Sequence, residues 1–204
     1  MPADLPARLR ADPTRAPEII ALAAADVHGP EAARWERDLR ARYVLSNREL
    51  ARKAKARHAA LARFAGAATG VGGILTYLPD LVSLLWIQSR LVFFMAAAHG
   101  FDPCDRMRPA ELLVIRELYD DPAEARRALD GVGRRIAEAY VDKSMRGSRE
   151  SVLFSRLLRF TGKRAARSIA GRAIPGFAIL FNSVSNERET RRLANRARDF
   201  YERR

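Results

Sequence analysis

Cysteine occurs once in this 204-residue chain, at Cys104. That excludes an intramolecular disulfide framework, a CxxC redox pair and a zinc site built on clustered cysteines. Histidine occurs three times, at His28, His58 and His99, with no HExxH or His/carboxylate spacing, so no metal and no cofactor is expected. There is no GxxxxGK[ST] phosphate loop and no GxSxG elbow. Gly70, Gly72 and Gly73 follow a helical pattern rather than a strand, which does not support a dinucleotide fingerprint. Cys104 stands between Asp102 and Asp105, whose charges disfavour a thiolate nucleophile. Asp120 and Asp121 precede Pro122 and read as a helix cap and turn, not as a catalytic pair. No catalytic constellation emerges. The N-terminal arginines have no apolar stretch behind them, so a secretory signal is not expected and a cytoplasmic location is. A clean apolar run of about 20 residues is also missing, against an ordinary single membrane span.

What the chain has in abundance is alanine, 36 residues, and arginine, 33 of the 37 basic residues. Both favour helix, and the β-branched alternation of strands is nearly missing. The expected fold class is all-α: one helical-bundle domain with a central apolar hairpin and basic amphipathic helices. Proline and glycine punctuation predicts helices near 16–28, 31–44, 47–77, 80–99, 107–119, 122–143, 149–171, 175–185 and 187–203. Ser46 with Glu49 has capping-box spacing, Asn186 with Glu189 opens the last helix in a similar way, and Gly100 suits a helix stop after His99.

The net charge of +13 is unevenly spread. Residues 34–63 hold ten basic and three acidic side chains, and residues 143–172 hold nine basic and one acidic. Each block precedes one of the two most apolar stretches, 64–99 and 173–185. Basic residues abutting an apolar segment suit an element facing an anionic membrane surface. In the first block Arg52, Lys53, Lys55 and Arg57 are the candidate membrane contacts. In the second, Arg149, Arg156 and Lys163 recur at i+7, with Arg159 and Arg167 flanking the same side of a basic amphipathic helix.

Between the blocks, residues 64–79 carry no charge and four glycines, with a GxxxG spacing at Gly66 and Gly70 that lets a neighbouring backbone approach. Residues 80–99 are apolar around most of the helix, which calls for burial in protein or in lipid. Asp80, Ser83 and Arg90 share one strip of that helix and Gln88 lies off it. Asp80 is expected to cap the helix. Asn182 interrupts a second apolar stretch and needs a hydrogen-bond partner if buried.

Taken in order, the basic helix running into Gly66, Gly70, Gly72 and Gly73, then Leu78-Pro79-Asp80, Gln88-Ser89-Arg90, His99-Gly100-Phe101-Asp102, Ile174-Pro175-Gly176, Asn182 and a last helix closing on Phe200-Tyr201, resemble the EcsC protein family. Where that family tends to have a second glycine after Pro175, this chain continues Phe177-Ala178. The resemblance covers about residues 47–203. It implies an all-helical bacterial domain over residues 47–204, with residues 1–46 as an N-terminal helical extension, and a loose link to membrane processes. It supplies no active site.

Three functions compete at this level. The first is a non-enzymatic protein, peripherally associated with the cytoplasmic face of the membrane, bound to anionic lipid or a membrane-protein partner. The second is a basic nucleic-acid-binding protein, favoured by charge but not by the aromatics, which fall in apolar segments rather than among the arginines. The third is a lipid-acting enzyme with an unrecognised site. The oligomeric state is open.

Overall fold

The computed structural model describes residues 1–12, 15–67, 77–131 and 183–204. The fold is all-α, and seven helices lie among these residues: α1 (Leu5–Ala11), α2 (Ala16–Arg42), α3 (Asn47–Ala67), α4 (Tyr77–Ala98), α5 (Arg108–Ile115), α6 (Pro122–Leu129) and α7 (Ser183–Glu202). The chain divides into two compact units, Met1–Ala23 with Pro109–Pro175, and Ala24–Arg108 with Gly176–Arg204.

In the first unit, α1, which the sequence pattern did not suggest, buries Leu5 and Leu9, four positions apart on one face. Its start carries a proline at the first turn, where a missing N–H costs nothing. Arg15 reaches the Ala128 carbonyl at 3.4 Å. α5 ends on Glu117 in the left-handed region (φ 58), with Leu118 N–H bonded to the Leu113 carbonyl at 2.9 Å. α6 starts as expected: Asp121 accepts a hydrogen bond from the Glu124 N–H at 3.0 Å, with Pro122 in the first turn. The expected helix 122–143 stops at Leu129, because Gly131 takes a left-handed φ of 79° and ends the turn.

The second unit is a bundle in which α3, α4 and α7 pack on one another. Lys55 meets Asn195, and Arg63 meets Glu187, so α3 and α7 run antiparallel, each pair of numbers summing to the same value. Asn47 at the start of α3 reaches the His99 carbonyl just past the end of α4, which makes α3 and α4 antiparallel as well. The sequence placed an apolar first arm, 64–77, against 80–99; residues 68–76 of that arm, including Gly70, lie outside the described residues, and what is described is the basic helix α3 antiparallel to α4. From Leu84 to Ala98 nearly every α4 side chain is buried, so this part of the apolar helix is covered by protein. Helix α7 contributes the stripe Thr190, Leu193, Ala194, Ala197 and Tyr201, which repeats at three- and four-residue steps.

Local signals in this unit are obeyed in part. Ser46 and Glu49 form a reciprocal capping box: the Ser46 N–H donates to Glu49 Oε2 at 2.8 Å, and the Glu49 N–H to Ser46 Oγ at 3.3 Å. Gly100 takes φ 87° and closes α4, with its N–H on the Ala97 carbonyl and the Phe101 N–H on the Ala96 carbonyl, both at 3.0 Å. Three expectations fail. Helix α2 does not break at Gly29-Pro30 but continues through Pro30. The glycine serves a close approach instead: a Cβ there would stand 2.9 Å from the Pro103 carbonyl oxygen. Tyr77, Leu78 and Pro79 are already helical, which puts Asp80 inside α4 rather than at its cap. Ser183, Val184 and Ser185 are already helical in α7, so Asn186 lies inside it rather than opening it.

Candidate functional site

The second unit offers two polar constellations. One is enclosed and begins with Arg90, a cation in the middle of the most apolar helix. A buried charge must be paired. Its partner is Glu31 of α2: Arg90 Nε donates to Glu31 Oε2 at 2.9 Å, and the second guanidinium nitrogen donates to Glu31 Oε1. The Arg90 side chain is 15% exposed and that of Glu31 35%. The guanidinium lies over the Phe94 ring at 4.8 Å, and the same ring meets Trp35 at 5.0 Å and His58 edge-on at 4.9 Å. The ion pair holds the Glu31 carboxyl below its ordinary range despite the opposing effect of burial, with Arg90 and His28 both donating to it.

His28, one turn before Glu31, packs against Trp86 with ring centroids 4.6 Å apart and places Nδ1 3.1 Å from Glu31 Oε2. Burial pulls its pKa down to about 4, against the Glu31 contact, so at neutral pH this is a hydrogen bond from a neutral ring rather than an ion pair. His58 is likewise lowered to about 4 by burial, and its Nδ1 donates to the Ala54 carbonyl at 2.8 Å. Gln88 and Ser89 are buried beside this network, and the Ser89 hydroxyl donates back to the Leu85 carbonyl at 2.7 Å.

The other constellation is open to solvent. Along α3, Arg48, Arg52 and Lys55 fall within about 60° of one another at 100° per residue, whereas Lys53 and Arg57 lie at least 100° from Arg52. The structure therefore splits the four-residue candidate set. Arg52 and Lys55, joined by Arg48, line a groove of about 520 Å³ facing Ala194, Asn195, Arg198 and Glu202 of α7, over a floor of Ala51 and Met95. Lys53 is exposed outside the groove, and Arg57 extends over Phe94 at 5.8 Å. Within the groove the Lys55 ammonium donates to Asn195 Oδ1 at 2.7 Å. Arg198 is held by Asp199 at 2.7 Å and by Glu202 at 3.8 Å. Neither Arg48 nor Arg52 has a hydrogen-bond or ion-pair partner among the described residues.

Of the other polar candidates in apolar segments, Ser83 is half-buried on α4. Arg149, Arg156, Arg159, Lys163, Arg167 and Asn182 lie outside the described residues. Sequence reasoning missed Glu31, His28, Arg48, Asn195 and Arg198. Half of the signal for Glu31 was available: a lone arginine in an apolar helix demands a carboxylate, and a helix starting at Glu31 was expected, but nothing in the sequence pairs the two. Cys104 is exposed, and its thiol is pushed up first by burial of part of its surface and then by Asp102, the direction expected from its acidic neighbours. Among the described residues no group of three or more His, Cys, Asp or Glu is placed to hold a metal ion. Nor is any described helix long and apolar enough to cross a membrane.

Comparison with known proteins adds lineage. The model of the EcsC protein family matches residues 19–204. Protein EcsC of Bacillus subtilis (strain 168) is 28% identical over 108 residues, 53% of this chain and 46% of that protein, so the chain spans about half the length of this curated relative. No solved structure matches.

Proposed function

Because the chain belongs to the EcsC protein family, we propose that it is a non-enzymatic helical protein peripherally bound at the cytoplasmic membrane surface, held there by anionic lipid or by a membrane-protein partner. The observation that supports this reading is the outer surface of α3, on which Arg48, Arg52, Lys53, Arg57 and Arg63 are all exposed, with Glu49 the one acidic residue of the helix. A helix that buries Leu50, Ala54, His58 and Ala62 on one side and spreads exposed cations over the rest of its circumference fits an anionic surface better than a neutral one. Binding to such a surface is reversible and weakens with salt, because charges farther apart than about 10 Å are screened at 0.1 M.

The test is a competition at fixed ionic strength between anionic vesicles and duplex DNA, with neutral vesicles as control. Retention on anionic vesicles in the presence of DNA supports the reading. Retention by DNA with no vesicle binding overturns it in favour of a nucleic-acid partner, and indifference to both overturns the anionic-lipid form of the reading and leaves a protein partner.

A further inference from the structure

The α3–α7 groove is built as a pocket as well as charged. Two rows of long polar side chains stand on two antiparallel helices, and the small residues Ala51 and Ala194 open the space between them. The floor of Ala51, Ala194 and Met95 is buried and apolar, which strengthens the field of the cations above it. At about 520 Å³ the space lies within the roughly 300–1,000 Å³ of small-molecule sites.

We propose that this groove binds a phosphate monoester, its oxygens held by Arg48, Arg52, Lys55 and Arg198, with the Asn195 amide as a further donor. The charge pattern selects the anion. Arg48 and Arg52 bring two guanidinium forks with no hydrogen bond or ion pair among the described residues, although Arg52 feels the charge of Glu49, and Lys55 adds a point charge already positioned by Asn195. A dianion with three terminal oxygens can accept from two forks and an ammonium together, whereas a carboxylate or a diester leaves donors unused. The Lys55 ammonium is disfavoured by burial and by Arg191 and Arg198, a repulsion that a bound anion relieves. Glu202 limits the site at one end, where it holds Arg198 in place. The space beyond the phosphate accommodates the ester's organic part. The inference rests on the membrane reading only for the source of the phosphate, because a lipid headgroup and a free phosphate ester carry the same chemistry.

The experiment uses the full chain in two arms. Calorimetric titration follows inorganic phosphate and glycerol phosphate. Cosedimentation compares vesicles containing phosphatidic acid, a monoester, with vesicles containing phosphatidylglycerol, a diester, at equal surface charge. Two variants remove equal charge from the same helix: Arg48→Gln with Arg52→Gln, and Lys53→Gln with Arg57→Gln. Expected is one-to-one binding of glycerol phosphate, weakened about tenfold or more in the first variant, as two lost charge-assisted bonds imply, and less than about twofold in the second. The same selective loss on phosphatidic-acid vesicles assigns the source to lipid. Binding of the soluble ester without vesicle binding supports the site and overturns the anionic-lipid form of the membrane reading. Vesicle binding that both variants weaken equally, with no soluble ester bound, overturns the site and leaves the membrane reading standing. Unchanged melting temperatures show that both variants are folded.

Discussion

Arg90 and Glu31 lie 59 positions apart in the chain and meet in a two-point contact, guanidinium on carboxylate, with the guanidinium over the Phe94 ring. The contact ties α2 to the apolar helix α4, and it gives the one charged residue of α4 after Asp80 a partner. Removing only one side leaves the other charge mostly dry. Glu31→Ala is expected to destabilise the fold by about 2 kcal/mol, less than the roughly 3–5 kcal/mol of a fully buried broken pair because Glu31 keeps some contact with water. Urea unfolding measures it. A double change to Glu31→Ala with Arg90→Met should recover part of the loss, and no recovery would show that the two side chains act independently.

Acid stability is expected to depend on His28 and His58. Both have folded-state pKa values near 4, below the ordinary 6.5, so between these values the unfolded chain binds protons that the folded chain refuses. Stability therefore is complete above about pH 6.5 and falls as pH drops toward 4, by an amount of order 3 kcal/mol for each ring. The unfolding free energy of His58→Gln, followed by denaturant titration from pH 7 to pH 4.5, should show a shallower pH slope than the parent. An identical slope sinks the assignment.

Gly29→Ala tests the close approach of α2 to the loop after α4. Alanine gains up to about 1 kcal/mol of helix propensity over glycine. Its Cβ would stand 2.9 Å from the Pro103 carbonyl oxygen and 3.5 Å from the Cys104 Cα, and backbone there cannot yield as a side-chain tip can. The clash is expected to win, with a net loss of about 1–2 kcal/mol read from the thermal midpoint. A stabilised variant would falsify the packing argument.

Asp121→Ala removes the side chain that accepts from the Glu124 N–H at the start of α6. The expected cost is about 1 kcal/mol, and Asp121→Ser or Asp121→Asn should restore most of it, since either side chain offers the same acceptor. Hydrogen exchange of the Glu124 amide is the local readout. Protection unchanged in the alanine variant would place the stabilisation elsewhere.

What could be read from the sequence was local. Ser46 with Glu49, Gly100 and Asp121 act where their residue types said they would, because a cap is satisfied within one turn of its own chain. The helices themselves and the antiparallel course of α3 and α4 were legible from propensity and apolar length. Some misreadings have one cause, that a tertiary contact outweighed or completed a local signal. Gly29-Pro30 has the form of a helix break, but Gly29 is small because another stretch of backbone presses on it. Likewise Arg52, Lys53, Lys55 and Arg57 lie within one short basic stretch; helical periodicity already sets Arg52 and Lys55 apart from Lys53 and Arg57, but only the approach of Asn195 and Arg198 turns the first pair into the wall of a groove. Arg90 announced its need for a carboxylate without naming Glu31, since periodicity fixes the face of a helix and not its neighbour.

The contact between Lys55 and Asn195 joins residues 140 positions apart. Closing so long a loop has a large entropy cost that only the completed packing repays, so contacts of this kind belong late in folding. The two walls of the groove accordingly come together when α7 docks. An anion seated between them is a ligand of the finished bundle alone. It should leave the folding rate untouched and act on the reverse step, slowing the departure of α7 and lengthening the lifetime of the native state.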